Sequence, residues 1–243
     1  MLTLVTYAPA FGQPSASPFC VKAMYLLNLS GLGWQRRDTN DPRRWPKGKL
    51  PALQSDTEVI GDSDNIRTYL EEQGADFDAG LTDLQRASSR TLIRMVEEHL
   101  YFHILMDRWG DNAVWPTIRE TYFKALPALL RRLIANRIRK DVLRGMHAQG
   151  MGRLTAGERL DRVEPDLQAI TTHLWQGPFL FGRTPTAADA SVGAMLGAMA
   201  STPEGTALSR RVRGDLILSR YISRVEQTLG DGPLHVAPNA LCA

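Results

Sequence analysis

An α/β domain followed by an all-α domain is the fold class that the 243-residue chain predicts, and two patterns carry the prediction. Over residues 1–74 short β-like runs alternate with helical ones. From residue 83 onward every periodic stretch places its apolar residues three and four apart, with no competing strand alternation. The stretch 74–82 between them has little periodicity and reads as a connection, so the expected domains are 1–74 and 83–243.

The elements follow in order. Residues 2–6 read as a buried strand, and the loop 8–17 after it is rich in Pro, Gly and Ser. Ser17 before Pro18 is a serine N-cap followed by proline at the first helical position, so a helix opens at Pro18. It should run to Asn28 with Ala23, Leu26 and Leu27 inward and Gly31 just past its end. Residues 34–37 form a weak second strand, and 50–53 and 57–60 a hairpin-like pair. Residues 63–72 form a helix ended by Gly74. The order β-α-β then β-β-α is that of a thioredoxin-like half. Helices are then predicted over 84–108, 117–144, 156–175, 187–199 and 216–229.

The net charge of +3 is mild and does not by itself imply nucleic acid. Two distant cysteines, Cys20 and Cys242, are no disulfide framework and fit a reducing compartment. No basic n-region precedes the first strand, and no apolar run reaches the length of a membrane span. A cytoplasmic protein without a transmembrane segment is the expectation. His235 to the C-terminus carries no pattern.

Three short segments carry chemistry. Ser17 heads a helix, where unpaired N–H groups and the macrodipole stabilise an anion such as a thiolate. Its other reading is a plain cap. Leu50-Pro51 opens a strand at a point where proline has no N–H for the ladder, and a cis bond there would turn the Leu50 backbone toward an extended peptide. Asp62-Ser63 lies between a strand and a helix, with Ser63 as a candidate cap whose neighbouring N–H groups could hold a carboxylate.

In this order the segments resemble the glutathione-binding half of the glutathione transferase family. The resemblance implies glutathione as co-substrate and no metal. It implies Ser17 facing the sulfur, Leu50 and Pro51 at the cysteinyl unit, Asp62 and Ser63 at the γ-glutamyl end, and Lys49 with Lys47 near the glycyl carboxylate. Thr186 and Asp189, after Phe179-Leu-Phe-Gly182, match the family's buried-helix capping box. Two stretches, Glu97 through His103 followed by Arg108-Trp109, and Gly150-Met-Gly152-Arg153-Leu-Thr155, are similar to its metaxin and failed-axon-connections branch. The chain departs from common members in its long loop after Tyr7 and in Val21, where many carry Arg.

Tyr7, at the end of the first strand, and Ser15 are alternatives to Ser17 as the group that meets the thiol. Cys20 would serve a glutaredoxin-like thiol exchanger, though it reads better as a buried small residue. Tyr101 and Trp109 would line an apolar pocket for a second, electrophilic substrate. His99, His103 and Asp107 recur every four residues, a spacing known from metal sites that more often serves packing. His147 and His173 join no constellation. The basic stretch 131–144, with Leu133, Ile134, Ile138 and Val142 interleaved, reads as an amphipathic helix whose outer face is charged, with an anionic membrane as the minority reading. The family implies a homodimer, a detoxifying transferase as the leading activity, and a non-catalytic adaptor as its alternative.

Overall fold

The computed structural model describes residues 1–230, so His235 and Cys242 lie outside the described residues. Its strands form one mixed sheet in the order β2-β1-β3-β4. β1 (Leu2–Thr6) pairs parallel with β2 (Trp34–Asp38) and antiparallel with β3 (Ala52–Gln54), and β3 pairs antiparallel with β4 (Val59–Gly61). The parallel pair requires a crossover, which α1 (Pro18–Ser30) supplies. Pro18 begins that helix and Gly31 ends it at φ 69, a left-handed turn that glycine adopts without strain. The hairpin strands start two residues later than the sequence pattern suggests. Proline at 51 has no N–H for the ladder, so pairing begins at Ala52.

α2 (Ser63–Glu72) spans the predicted residues. Beyond it, one helical run covers α3 (Asp83–Met95), a π turn (Val96–Leu100), α4 (Tyr101–Leu105) and a second π turn (Met106–Gly110). Each π turn widens the helix and rotates the side chains that follow, a change of face that simple periodicity does not reveal. The expected helix 117–144 is two, α5 (Trp115–Tyr122) and α6 (Ala128–Gln149), interrupted before Pro127. α7 (Ala156–Leu174), α8 (Ala187–Ala200), α9 (Ala207–Gly214) and α10 (Leu216–Leu229) complete the bundle. α9 is an element the periodicity did not predict, because its apolar signal is only Leu208 and Val212, one turn apart.

The reading of α6 needs correction. Leu133 is 71% exposed, and Ile134 and Ile138 are exposed as well, while Ala135 and Met146 face inward. Ala135 joins the Val114, Trp115 and Ile118 cluster, and Met146 joins Met106 and Met151 with Val142 packed against them, so the covered face keeps Val142 of the expected stripe but leaves Leu133 in solvent. Nor are all the basic residues solvated. Arg139 Nε donates to the Trp109 carbonyl at 2.7 Å, and its guanidinium lies 5.0 Å from the Trp115 ring centroid.

α8 is buried along nearly its whole length and joins α1, the sheet and α10 in one continuous apolar core. Its small residues permit this. A Cβ at Gly193 would come 2.5 Å from Val225 of α10. The buried Asp189 carboxylate accepts from the Thr186 N–H and hydroxyl, each at 2.8 Å, the Leu180 N–H at 3.0 Å and the Tyr221 hydroxyl at 2.9 Å. The expected Thr186–Asp189 pairing is therefore present and also anchors α10.

An ion-pair group not singled out from sequence joins the two halves. Lys22, on α1 and fully buried, places Nζ 2.5 Å from Glu97 of the first π turn and 3.3 Å from Asp64 of α2. Glu97 also accepts from Ser191 of α8 at 2.6 Å. Asp64 further accepts from Arg90, at 3.1 Å, and from Arg94. Burial disfavours the Asp64 charge, but Lys22, Arg90 and Arg94 together hold its carboxyl below the usual carboxylate range.

The row His99, His103, Asp107 fastens the same helical run to its neighbours. His99 Nδ1 lies 2.5 Å from Asp166 of α7, its Nε2 lies 3.3 Å from that of His103, and Asp107 accepts from the Thr206 hydroxyl that caps α9. Among the described residues no group of three or more metal-ligating side chains is close enough to hold an ion. Burial, reinforced by His99, Arg159 and Arg162, pushes His103 down to about 4.

Two stability measurements follow from these groups. Lys22→Met leaves buried Glu97 with only the longer 3.8 Å pairing to Arg94 and is expected to lower the unfolding free energy by about 3 kcal/mol in denaturant titration. Adding Glu97→Gln should recover part of that loss. For His103, the folded value near 4 lies below about 6.5 in the unfolded chain, so the unfolded state takes up the proton first. Stability should therefore fall as the pH drops from about 6.5 to about 4, by roughly 3 kcal/mol in all. His103→Gln should flatten that part of the profile.

Candidate functional site

The β3–β4 hairpin brings two of the sequence-selected segments together. Ala52 stands opposite Gly61, and the Asp62 N–H donates to the Pro51 carbonyl at 3.2 Å. The Leu50-Pro51 bond is cis. Among the described residues neither the N–H nor the carbonyl of Leu50 has a backbone partner, which leaves both free for an extended ligand. The loop carrying Lys47 and Lys49, both exposed, is packed onto β4 through Pro46: a Cβ at Gly61 would come 2.5 Å from the Pro46 Cβ.

Asp62, rather than Ser63, caps α2. Its Oδ1 accepts the Asp64 N–H at 3.0 Å, and Ser63 becomes the first helical residue. Asp62 holds φ 84 and ψ 134, a backbone region that costs a non-glycine residue about 1–3 kcal/mol and that recurs at ligand sites. The helix N-terminus beside it, with Arg90 and Arg94 bonded to Asp64, favours a carboxylate. A polar cleft of about 570 Å³ between α2 and α3 is lined by Asp64, Arg67, Asp78 and Arg90, and its walls are cross-linked by ion pairs such as Arg67–Asp78.

The Ser17 segment is tied to this hairpin through the first turn of α1. Cys20, one turn into α1, packs with Val5, Leu50 and Ala52, and Tyr7 covers that cluster. Ser17 precedes α1 in extended backbone, and its hydroxyl makes no capping bond to the helix. The plain-cap reading of Ser17 therefore has no hydrogen bond behind it. Ser15 is a brace instead: only 2% exposed, its Oγ accepts from the Thr6 hydroxyl at 3.0 Å and from the Ser17 N–H at 3.3 Å.

The long loop does not carry Tyr7 away from Ser17. It turns through Phe11 at φ 55 and Gly12 at φ 75, and the Ala16 N–H returns to the Ala8 carbonyl at 3.1 Å. Burial pushes the Tyr7 phenol and the fully buried Cys20 thiol up. A thiol of this kind is neither ionised nor reachable, which speaks against exchange chemistry at Cys20.

The helical domain supplies the opposite wall. Tyr101 stacks edge-on against Phe19 of α1, with ring centroids 4.7 Å apart, and burial pushes its phenol up to about 12. Trp109 packs 5.8 Å from Tyr122, which in turn lies 5.8 Å from Phe11. Tyr122 thus links Trp109 to the loop. Tyr101 and Tyr122 add to the upward push on the Tyr7 phenol, and Tyr122 to that on Tyr101, so these residues of different elements share one neighbourhood. Nothing local marked Tyr122, which in sequence is one aromatic residue on a short amphipathic helix.

Comparison with known proteins bears on the family and the fold. Residues 18–114 match the glutathione S-transferase N-terminal domain, and residues 153–221 match the glutathione S-transferase C-terminal domain. The isoprene-epoxide–glutathione S-transferase of Rhodococcus sp. (strain AD45) is 32% identical over 242 residues, covering 93% of this chain and 98% of that protein. Human metaxin-2 is 27% identical over 184 residues, 75% of this chain and 70% of its own length. The crystal structure of a glutathione S-transferase from Methylobacillus flagellatus KT with glutathione bound superposes at a TM-score of 0.59 and 16% identity, over 96% of this chain and all of that one. That likeness concerns the fold, a thioredoxin-like sheet followed by a helical domain. The chain belongs to the glutathione S-transferase family.

Proposed function

We propose that the protein is a glutathione transferase that joins the glutathione thiol to a small apolar electrophile. One observation carries the reading: the unpartnered Leu50 backbone, the N-terminus of α2 and the uncapped Ser17 hydroxyl lie in sequence-distant segments that the fold brings together, opposite a wall of aromatic residues. In this reading the Leu50 backbone pairs with the cysteinyl unit beside Pro51. Ser63 at the helix start holds the γ-glutamyl carboxylate, with Asp62 at the amine, and Lys49 with Lys47 serves the glycyl carboxylate.

The thiol proton leaves to solvent while the Ser17 hydroxyl donates to the sulfur. Lowering a thiol pKa by two units takes roughly 2.7 kcal/mol. A hydrogen bond to an ion, about 1.5–3 kcal/mol, together with a helix N-terminus supplies that amount. The thiolate then attacks carbon; a sulfur–carbon bond forms as the bond to the leaving group breaks. The substrate named for the Rhodococcus relative supports an epoxide as the electrophile. Ring opening leaves an alkoxide that needs a proton. Tyr7 and Tyr101, whose phenols burial keeps protonated, are suited to donate it, with solvent restoring the proton afterwards. A homodimer in the cytoplasm, with detoxification as the role, completes the proposal.

A non-catalytic adaptor is the second reading, favoured by the likeness to metaxin-2. Calorimetry at millimolar glutathione, followed by turnover with epoxides and aryl halides, separates the two. Binding without turnover across the panel selects the adaptor, and no binding discards both. Ser17→Ala is expected to lower kcat roughly a hundredfold while leaving glutathione affinity nearly unchanged. A large effect from Tyr7→Phe and none from Ser17→Ala would transfer the thiol contact to Tyr7. Ser63→Ala should raise the glutathione KM about tenfold with little change in kcat.

A further inference from the structure

Arg108, in the second π turn, is only 3% exposed, yet among the described residues none of its partners is an anion. Its five N–H groups all donate to neutral oxygens. Nε reaches the Thr202 hydroxyl at 3.5 Å, and one terminal nitrogen reaches the Ala16 carbonyl and the Tyr122 hydroxyl, each at 3.1 Å. The other reaches the Ala198 carbonyl at 2.9 Å and the Ser201 hydroxyl at 3.4 Å. The guanidinium also sits 5.2 Å from the Phe11 ring centroid. Its neighbour Asp107 is engaged by Thr206 instead.

Hydrogen bonds to neutral groups hold a buried cation in place but do not cancel its charge, and buried charges are normally paired. The Arg108 charge is directed at the Ala16 carbonyl, the last peptide oxygen before Ser17, and at Tyr122. We propose that Arg108 is a positioning residue for thiol activation, a fixed positive charge whose counter-ion is the thiolate formed beside Ser17. The inference rests on the glutathione reading above.

The surroundings agree. Tyr7 at the end of β1, Cys20 on α1 and Tyr101 on α4 are kept neutral by burial, so none of them neutralises the guanidinium. Arg108 favours the ionised form of Tyr101, the same sense of effect that a nearby thiolate would feel. The carboxylates of the neighbourhood include Asp107, pushed up to about 6 by burial, Asp111, whose charge acts on Asp107, and Asp41, whose charge acts on Tyr7. Because all five N–H groups are occupied, Arg108 acts through its field and through Ala16 and Tyr122, without touching the ligand.

The test is the pKa of glutathione bound to the full chain, read from thiolate ultraviolet absorbance against pH. Arg108→Gln should raise it by about one unit and move the acid limb of kcat/KM equally, while S-methylglutathione, which has no thiol, binds within about twofold of wild type. Arg108→Lys keeps the charge and should stay within about half a unit of wild type. A folded Arg108→Gln whose bound thiol titrates as in wild type overturns the proposal. Should that variant not fold, the wild-type protein decides: at pH 8 glutathione must raise Tm clearly more than S-methylglutathione, and equal rises overturn it. If neither ligand binds the wild type, the glutathione reading itself fails. Glutathione binding in which Arg108→Gln leaves the bound thiol pKa at its wild-type, lowered value removes only the role of Arg108; a wild-type bound thiol that titrates as free glutathione removes the role of Ser17 as well.

Discussion

Everything else in this structure depends on how α1 is held, and the constraint that holds it is the buried ammonium of Lys22. Its partners come from both halves of the chain: Asp64 from α2 and Glu97 from the helical run beyond the connection, with Ser191 of α8 completing the Glu97 contacts. At zero exposure that ammonium has lost its water, and these carboxylates supply the compensating charge. The pairing is therefore less a source of net stability than a condition on geometry, satisfied only when both halves meet in one register. Apolar packing of α1 on α8 supplies attraction without that specificity.

Fixing α1 fixes the site. Its first turn carries Cys20 into the cluster with Leu50, and the β3–β4 hairpin carries Leu50-Pro51 to Asp62. The same Asp64 that pairs with Lys22 lies one residue beyond Ser63, so the ion-pair group and the candidate carboxylate site share one helix turn. On the other side, the second π turn directs Arg108 to the loop end at Ala16. The end of α1 is thus held by its own domain on one side and by the helical domain on the other. That arrangement suits a site where a thiol from one half must meet an electrophile from the other.

Local signals were legible where one residue type has one dominant physical consequence. Proline at 18 and glycine at 31 bound α1 because one fixes φ and lacks an N–H while the other tolerates a left-handed turn. Proline at 51 and the Thr186–Asp189 pair were readable for the same kind of reason. Faces of helices were less legible. In α6 the residues Leu133 and Ile134 fit an inward stripe as well as Ala135 does, and only the position of Trp115 and Met106 decided which side is covered. The row His99, His103, Asp107 likewise has one spacing and several uses, and Asp166 and Thr206 settled its use from remote positions.

By itself the sequence determined the succession of strands and helices, the family, and the three segments that frame the candidate site. Tertiary structure alone decided what those segments face. It left the Ser17 hydroxyl uncapped, turned Ser15 into a brace against Thr6, kept Tyr7 beside the site despite the long loop, and brought in Lys22, Arg108 and Tyr122. The physical reason is that propensity and capping act within a few residues along the chain. The burial of a charge and the partner of a hydroxyl depend on residues that folding alone brings into contact.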